Sequence, residues 1–152
     1  MEDRPAPIKP ADLKDAALRL LARREHSYRE LARKLTQRGW PAEMTDTILA
    51  ELAEAGLQSD TRYAESFARS RAQKAYGPMR IRAEMGQRGI DRALVDQALR
   101  ELDVDWFTIA ANWYERRYGT EAPSDIKERS RRQQALARRG FASDIIRELV
   151  DF

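Results

Sequence analysis

Gln37-Arg38-Gly39-Trp40, Gln87-Arg88-Gly89-Ile90 and Arg138-Arg139-Gly140-Phe141 share one pattern: a basic residue, a glycine, then a large apolar residue. The intervals between the glycines are 50 and 51 residues. Glycine accepts the left-handed backbone that ends many helices, so one such site marks a single helix stop. Three at a near-constant period mark a tandem repeat. A repeat decides the architecture before any side-chain chemistry is considered.

Reading outward, each glycine closes the second helix of a three-helix unit. In the first unit, residues 11–57, Leu13, Ala17, Leu20 and Leu21 fall at i, i+4, i+7 and i+8, an amphipathic helix that frays near His26. Ser27-Tyr28-Arg29-Glu30 reads as a capping box opening the second helix, which carries Leu31 and Leu35 towards Gly39. Pro41 starts a third helix with Met44, Ile48, Leu49 and Leu52 facing inward.

The second unit, residues 58–104, repeats this order. Asp60 reads as the N-cap of a helix carrying Tyr63, Ala64, Phe67 and Ala68, and Gly77-Pro78 breaks the chain. Ile81 and Met85 stand where Leu31 and Leu35 stand, counted back from the glycine. Asp91 caps a helix with Leu94, Ala98, Leu99 and Leu102. The third unit, residues 105–152, has Trp106, Ile109, Ala110, Trp113 and Tyr114 on one face, a loop from Tyr118 to Ser124, and a cap at Asp125 with Glu128. Leu136 aligns with Leu35 and Met85, while Ile145, Leu149 and Val150 align with Met44, Ile48 and Leu49. Arg132 departs from the pattern, standing where Leu31 and Ile81 call for an apolar residue. The third copy is therefore expected to begin or register its second helix differently.

The expected fold is all-α: three tandem three-helix repeats forming a curved, elongated, solenoid-like rod of either hand, after a flexible tail over residues 1–10 that holds Pro5, Pro7 and Pro10. Hydrophobic residues make up 42% of the 152 and charged residues 35%, which suits thin shared layers rather than one thick core. With no cysteine, disulfides, thiolate metal sites and cysteine catalysis are excluded, in keeping with a reducing compartment. No apolar run approaches the roughly 20 residues that span a bilayer, and no membrane association is expected.

The net charge of +3 is mild, but it conceals segregation. The second helices are basic: Arg29, Arg33, Lys34 and Arg38; Arg80, Arg82 and Arg88; then Arg129, Arg131, Arg132, Arg138 and Arg139. The third helices lean acidic, with Glu43, Asp46, Glu51 and Glu54 in the first and Asp91, Asp96, Glu101 and Asp103 in the second. Units stacked in register place a basic stripe on one side, suited to a nucleic-acid backbone or a long partner of alternating charge. An isolated arginine reads as a solvated or locally paired charge. Recurrence in three units reads as function. Tyr76, beside Gly77 at an expected exposed helix end, and Lys74 join this candidate surface.

Chemistry is not visible. No phosphate-loop, dinucleotide or nucleophile-elbow motif occurs. His26, the sole histidine, sits at a helix end, where a cap or solvent contact is expected, and one histidine without cysteines builds no imidazole-rich metal site. Trp106, Trp113 and Tyr114 follow helical spacing and read as core. No catalytic residue, cofactor or metal is expected.

Asp60-Thr61-Arg62-Tyr63-Ala64-Glu65-Ser66-Phe67-Ala68-Arg69-Ser70-Arg71, followed by the run from Tyr76-Gly77-Pro78 through Arg88-Gly89-Ile90, resembles the central signature of the RecX regulatory proteins. Ser27, Glu30-Leu31 and Leu35 ahead of Arg38-Gly39 are similar to their first unit, and the resemblance covers residues 11–152. Met85 replaces the more usual leucine, a volume-conserving change. The resemblance implies three three-helix repeats and a bacterial cytoplasmic regulator of the RecA recombinase, and a monomer is expected. Such a protein binds in the groove of the RecA–DNA filament and restrains recombination, ATP hydrolysis and coprotease activity; whether single- or double-stranded DNA is contacted directly is left open by the sequence. The residues expected to carry it are Arg29, Arg33, Lys34, Arg38, Lys74, Tyr76, Arg80, Arg82, Arg88, Arg131, Arg132, Arg138 and Arg139. The alternative reading is a stand-alone DNA-binding protein of helix-turn-helix type.

Overall fold

The structure, a computed structural model, describes residues 8–150. These form α1 (Pro10–Arg23), α2 (Tyr28–Gln37), α3 (Ala42–Glu54), α4 (Asp60–Gln73), α5 (Pro78–Gln87), α6 (Arg92–Glu101), α7 (Trp106–Tyr118), α8 (Ile126–Arg139) and α9 (Ser143–Leu149), with no strand among the described residues. Of the expected tail, residues 1–7 lie outside the described residues, and Pro10 opens α1, where its missing N–H costs no helical bond.

The chain divides into two compact bodies. One runs to Tyr63 and takes in the turn Arg88–Ile90; the other comprises Ala64–Gln87 and the chain from Asp91 onward. In the first, α1, α2 and α3 enclose Leu13, Ala17, Leu20, Leu31, Leu35, Ile48, Leu49 and Leu52. Full burial of one such leucine stabilises by roughly 1.5–3 kcal/mol relative to exposure. In the second, Ile81, Met85, Val95 and Ala98 are buried, and Ala110, Leu136, Phe141, Ile146 and Val150 form a further cluster.

The period fixes which positions are buried. Leu31 and Leu35, Ile81 and Met85, and Arg132 and Leu136 are buried at equal distances before their glycines. In the third helices the buried set includes Thr45, Val95 and Ile146, one residue on from the expected Met44, Leu94 and Ile145, which are half-buried. One residue is about 100° of helical rotation. Thr45 escapes a hydrophobic pattern because it is polar, yet its Oγ1 donates to Pro41 O at 2.8 Å and is satisfied in the core.

Two of the glycine turns close alike. Trp40 N donates to Leu35 O at 3.2 Å and Phe141 N to Leu136 O at 3.3 Å, the six-to-one bond of a left-handed cap, and Gly39 and Gly140 share φ +97°. Their surroundings differ. A Cβ on Gly39 meets nothing within 4 Å, whereas one on Gly140 lies 2.4 Å from Arg80 Cβ and 2.5 Å from Arg80 N. The start of α5 rests directly on that turn: Gly77 N donates to Arg139 O at 2.7 Å and Met79 N to Gly140 O at 3.0 Å. The Gly89 turn is used the same way in the first body. There Ser27 Oγ donates to Arg88 O at 3.1 Å, and the Arg29 stem occupies the space beside the glycine. Each later turn is thus a seat for the preceding repeat.

Three expectations are corrected. Asp60 is the first residue of α4 and does not cap it; Ser59 Oγ does, accepting from Arg62 N at 3.2 Å. The Asp60 carboxylate instead accepts from Tyr28 N at 2.8 Å and Gln58 Nε2 at 3.0 Å, placing a negative charge at the N-terminus of α2. In the capping box Ser27 Oγ accepts from Glu30 N at 3.1 Å, but both Glu30 oxygens are taken by Arg24 at 3.0 and 2.9 Å. His26 is buried rather than solvent-facing, with 1% of its surface exposed. Its Nδ1 lies 3.0 Å from Arg24 O, which can only accept, so Nδ1 carries the proton and Nε2 accepts from Lys34 Nζ at 3.1 Å.

The third copy does begin its second helix differently. α8 has 14 residues against 10 in α2 and α5, and most of the addition is at its start, where Asp125 accepts from Glu128 N at 2.7 Å. Leu136 keeps the common register to the glycine.

Candidate partner-binding surface

An amphipathic helix that buries two positions in ten leaves the rest to solvent, and in α2 and α5 the remainder is rich in arginine. Arg29, Arg33, Arg38, Lys74, Arg80, Arg82, Arg131 and Arg138 are exposed, while Lys34, Tyr76, Arg88 and Arg139 are half-buried. Burial first, then the charge of Arg24, holds the Lys34 amine below its ordinary pKa. Arg82 pairs with Asp96, whose carboxyl is held below its usual value by that hydrogen bond. Arg131 pairs with Glu128 at 3.3 Å.

Arg132 does not belong to this surface. Only 8% exposed, it donates to Tyr114 Oη at 3.0 Å, Glu121 O at 2.9 Å and Glu128 Oε1 at 3.2 Å, and its guanidinium lies 4.7 Å from the centre of the Tyr118 ring. The arginine fills a leucine position because carbonyl, phenol and carboxylate all meet it there. A hydrophobic pattern cannot show such partners.

The structure brings the sequence candidates Arg80, Arg138 and Arg139 together around Tyr76, joined by Arg71, which sequence reading did not single out, while Arg82 and Arg131 pair elsewhere. Guanidinium carbons of Arg139, Arg80 and Arg71 lie 4.4, 4.5 and 5.3 Å from the centre of its ring, and Arg139 is 5.0 Å from that of Trp113. Cation–π contacts of this kind contribute about 0.5–2 kcal/mol. Two of these arginines are also held by backbone: Arg80 Nη1 donates to Arg138 O at 3.1 Å and Arg139 Nη1 to Lys74 O at 3.1 Å. Glu84 ties the group from below, 2.9 Å from Arg80 Nε and 2.9 Å from Arg71 Nη2. Sequence reading missed Trp113 and Arg117 as members of this group. The one available signal was their i, i+4 spacing on α7, which puts a cation one turn beyond an aromatic ring.

Among the described residues no three His, Asp or Glu side chains group as a metal site, and no helix is long and apolar enough to cross a membrane.

Fold and surface together define a tandem three-helix-repeat protein whose second helices end on glycine and present arginine. Known proteins of this class match it along its length. The descriptions "RecX, first three-helix domain", "RecX, second three-helix domain" and "RecX, third three-helix domain" match residues 14–52, 59–99 and 103–150. "Regulatory protein RecX" of Ectopseudomonas mendocina is 48% identical over 141 residues, 93% of this chain and 94% of that protein. The protein of the same name from Halorhodospira halophila is 47% identical over 135 residues, 89% and 84% of the two chains. The crystal structure of RecX from Lactobacillus salivarius superimposes with a TM-score of 0.76 at 24% identity, covering 93% of this chain and 94% of that one. A second crystal structure of a regulatory protein RecX gives 0.78 at 26% identity, covering 92% and 70%. The chain belongs to the RecX family.

Proposed function

We propose that this protein regulates the RecA recombinase in the cytoplasm. As a monomer it binds in the groove of the RecA–DNA filament and restrains recombination, ATP hydrolysis and coprotease activity. Family membership supports the regulatory role. The observation that carries the mode of binding is the recurrence of exposed basic side chains on the second helix of every repeat: Arg29, Arg33 and Arg38; Arg80 and Arg82; Arg131 and Arg138. Many modest contacts, repeated at a fixed chain interval, suit a partner that is itself a repeating polymer. No catalytic residue, cofactor or metal enters this reading.

The test is recombinase ATPase on single-stranded DNA with substoichiometric protein. The variants are chosen from exposed side chains, of which only Arg131 makes an internal polar contact among the described residues, its surface pair with Glu128: Arg33→Glu, Arg38→Glu and Arg131→Glu together. Inhibition by the unmodified protein and its loss in the triple variant, with helical content unchanged, are expected. Full inhibition by the triple variant refutes the assignment of this surface. Absence of inhibition by the unmodified protein, with sequence-selective duplex binding, replaces the reading with a stand-alone helix-turn-helix protein.

A further inference from the structure

We propose that Lys34 is a site of covalent acylation, its amine taking the acyl group of an acyl phosphate with His26 as proton acceptor. Lys34 Nζ lies 3.1 Å from His26 Nε2, and His26 Nδ1 lies 3.0 Å from Arg24 O. A nucleophile within hydrogen-bond reach of a base, with that base oriented by a third group, is the arrangement that activates side-chain nucleophiles. The Arg24 carbonyl can only accept, so it keeps the imidazole proton on Nδ1 and leaves Nε2 facing the amine. Burial favours the uncharged imidazole, the form that can take a proton. Lys34 alone of the five lysines is half-buried against this ring; Lys9, Lys14, Lys74 and Lys127 are exposed.

The surroundings favour both the reactive amine and an anionic donor. Burial first, then the charge of Arg24, favours the uncharged amine, and Arg38 and Arg23 act in the same sense. Glu30 opposes them, but both its oxygens are held by Arg24. Arg23 and Arg38 are exposed, and cations of this kind attract phosphate. In the reaction the Lys34 nitrogen attacks the carbonyl carbon of the acyl phosphate. The N–C bond forms as the C–O bond to phosphate breaks, and that electron pair leaves with the phosphate. Bond formation makes the nitrogen acidic, and its proton passes to His26 Nε2 and on to the departing phosphate. The products are an amide and inorganic phosphate. The amide is neutral, so α2 loses one positive charge from its basic face. That such a loss weakens partner binding rests on the proposed function; the acylation does not.

Full-length protein is treated with acetyl phosphate at neutral pH, and acetylation of each lysine is followed by peptide mass spectrometry. An oriented base contributes about 100-fold or more, part of which half-burial of the amine takes back, so Lys34 should react about tenfold faster than the mean of the four exposed lysines. In guanidinium chloride the five rates should converge. His26→Gln offers Lys34 an acceptor but no base, and should bring its rate down to that of the others. Arg23→Ala with Arg38→Ala should slow Lys34 more with acetyl phosphate than with the neutral donor p-nitrophenyl acetate. A Lys34 rate no higher than the exposed lysines in the folded protein overturns the site, as does a preference that persists in the unfolded chain. An unchanged rate in folded His26→Gln overturns the proton acceptor; if that variant does not fold, the folded-against-unfolded comparison of the unmodified protein still decides. Equal slowing with both donors overturns the anionic donor. Recombinase inhibition enters none of these readouts, so the proposed function can fail while the site stands.

Discussion

Gly39→Ala and Gly140→Ala are the same chemical change at the same backbone angle, φ +97°, and they should differ sharply in cost. A left-handed alanine costs about 1–2 kcal/mol at either position. At Gly39 that is the whole effect, since its Cβ meets nothing within 4 Å. At Gly140 the new methyl falls 2.4 Å from Arg80 Cβ and 2.5 Å from Arg80 N, and a backbone atom cannot swing aside. Relief needs the start of α5 to lift. That displacement threatens the bonds from Gly77 N to Arg139 O and from Met79 N to Gly140 O. Overpacking adds about 1–3 kcal/mol and each weakened bond about 0.5–1.5, so Gly140→Ala should lose about 3–8 kcal/mol in all. Urea denaturation followed by far-UV circular dichroism measures both losses, and amide exchange at Gly77 and Met79 shows whether the seat opens. Equal losses for the two variants, or retained protection at Gly77 and Met79, refute the argument that the later turns carry the preceding repeat.

Other outcomes follow from single contacts. Asp60→Ala should cost about 1–2 kcal/mol and raise amide exchange at Tyr28 rather than at the start of α4, because its carboxylate serves α2. Arg132→Ala should lose about 2–4 kcal/mol in urea titration by stranding Tyr114 Oη and Glu121 O, whereas Arg132→Leu, restoring the apolar residue of the other repeats, should lose less. Burial, set only partly against its bond to Arg24 O, holds the His26 imidazole below its ordinary pKa of 6.5, so the unfolded chain binds the extra proton first. Stability should therefore be complete above about pH 6.5 and fall as the pH drops through the lower folded value. Urea midpoints across that range check this, and His26→Gln should flatten the slope there. Glu30 contributes only further down: burial alone would raise its carboxyl, but the Arg24 bonds and charge outweigh it and hold it below 4.5.

Much of the fold was legible because repetition averages over local exceptions. Leu31, Leu35, Ile81, Met85 and Leu136 were placed inside by one alignment on the glycines, and all are buried. At their first inward position the third helices were read one residue early, since Leu94 and Val95, or Ile145 and Ile146, are adjacent apolar residues and hydropathy alone cannot choose between them. Ile48, Leu49, Leu52 and Ala98, by contrast, are buried as expected. The candidate surface was legible as a list of arginines and not as an arrangement. Arg132 and Arg33 are equally basic in the sequence, yet one is walled in by Tyr114, Glu121 and Glu128 and the other is exposed.

By itself the amino-acid sequence determined the all-helical class, the three-unit period and the turn at each glycine, because helical periodicity and left-handed caps are local properties of the chain. Only the tertiary structure decided what the glycines are for. Gly39 needs its missing side chain for its backbone angle alone, and Gly140 needs it also because Arg80 stands in the space a methyl would fill. Only the structure, likewise, decided that Arg80, Arg117, Arg138 and Arg139 share one pocket. They come from three helices as far as 59 residues apart in the chain, and no local pattern records which distant residues a packed fold brings together.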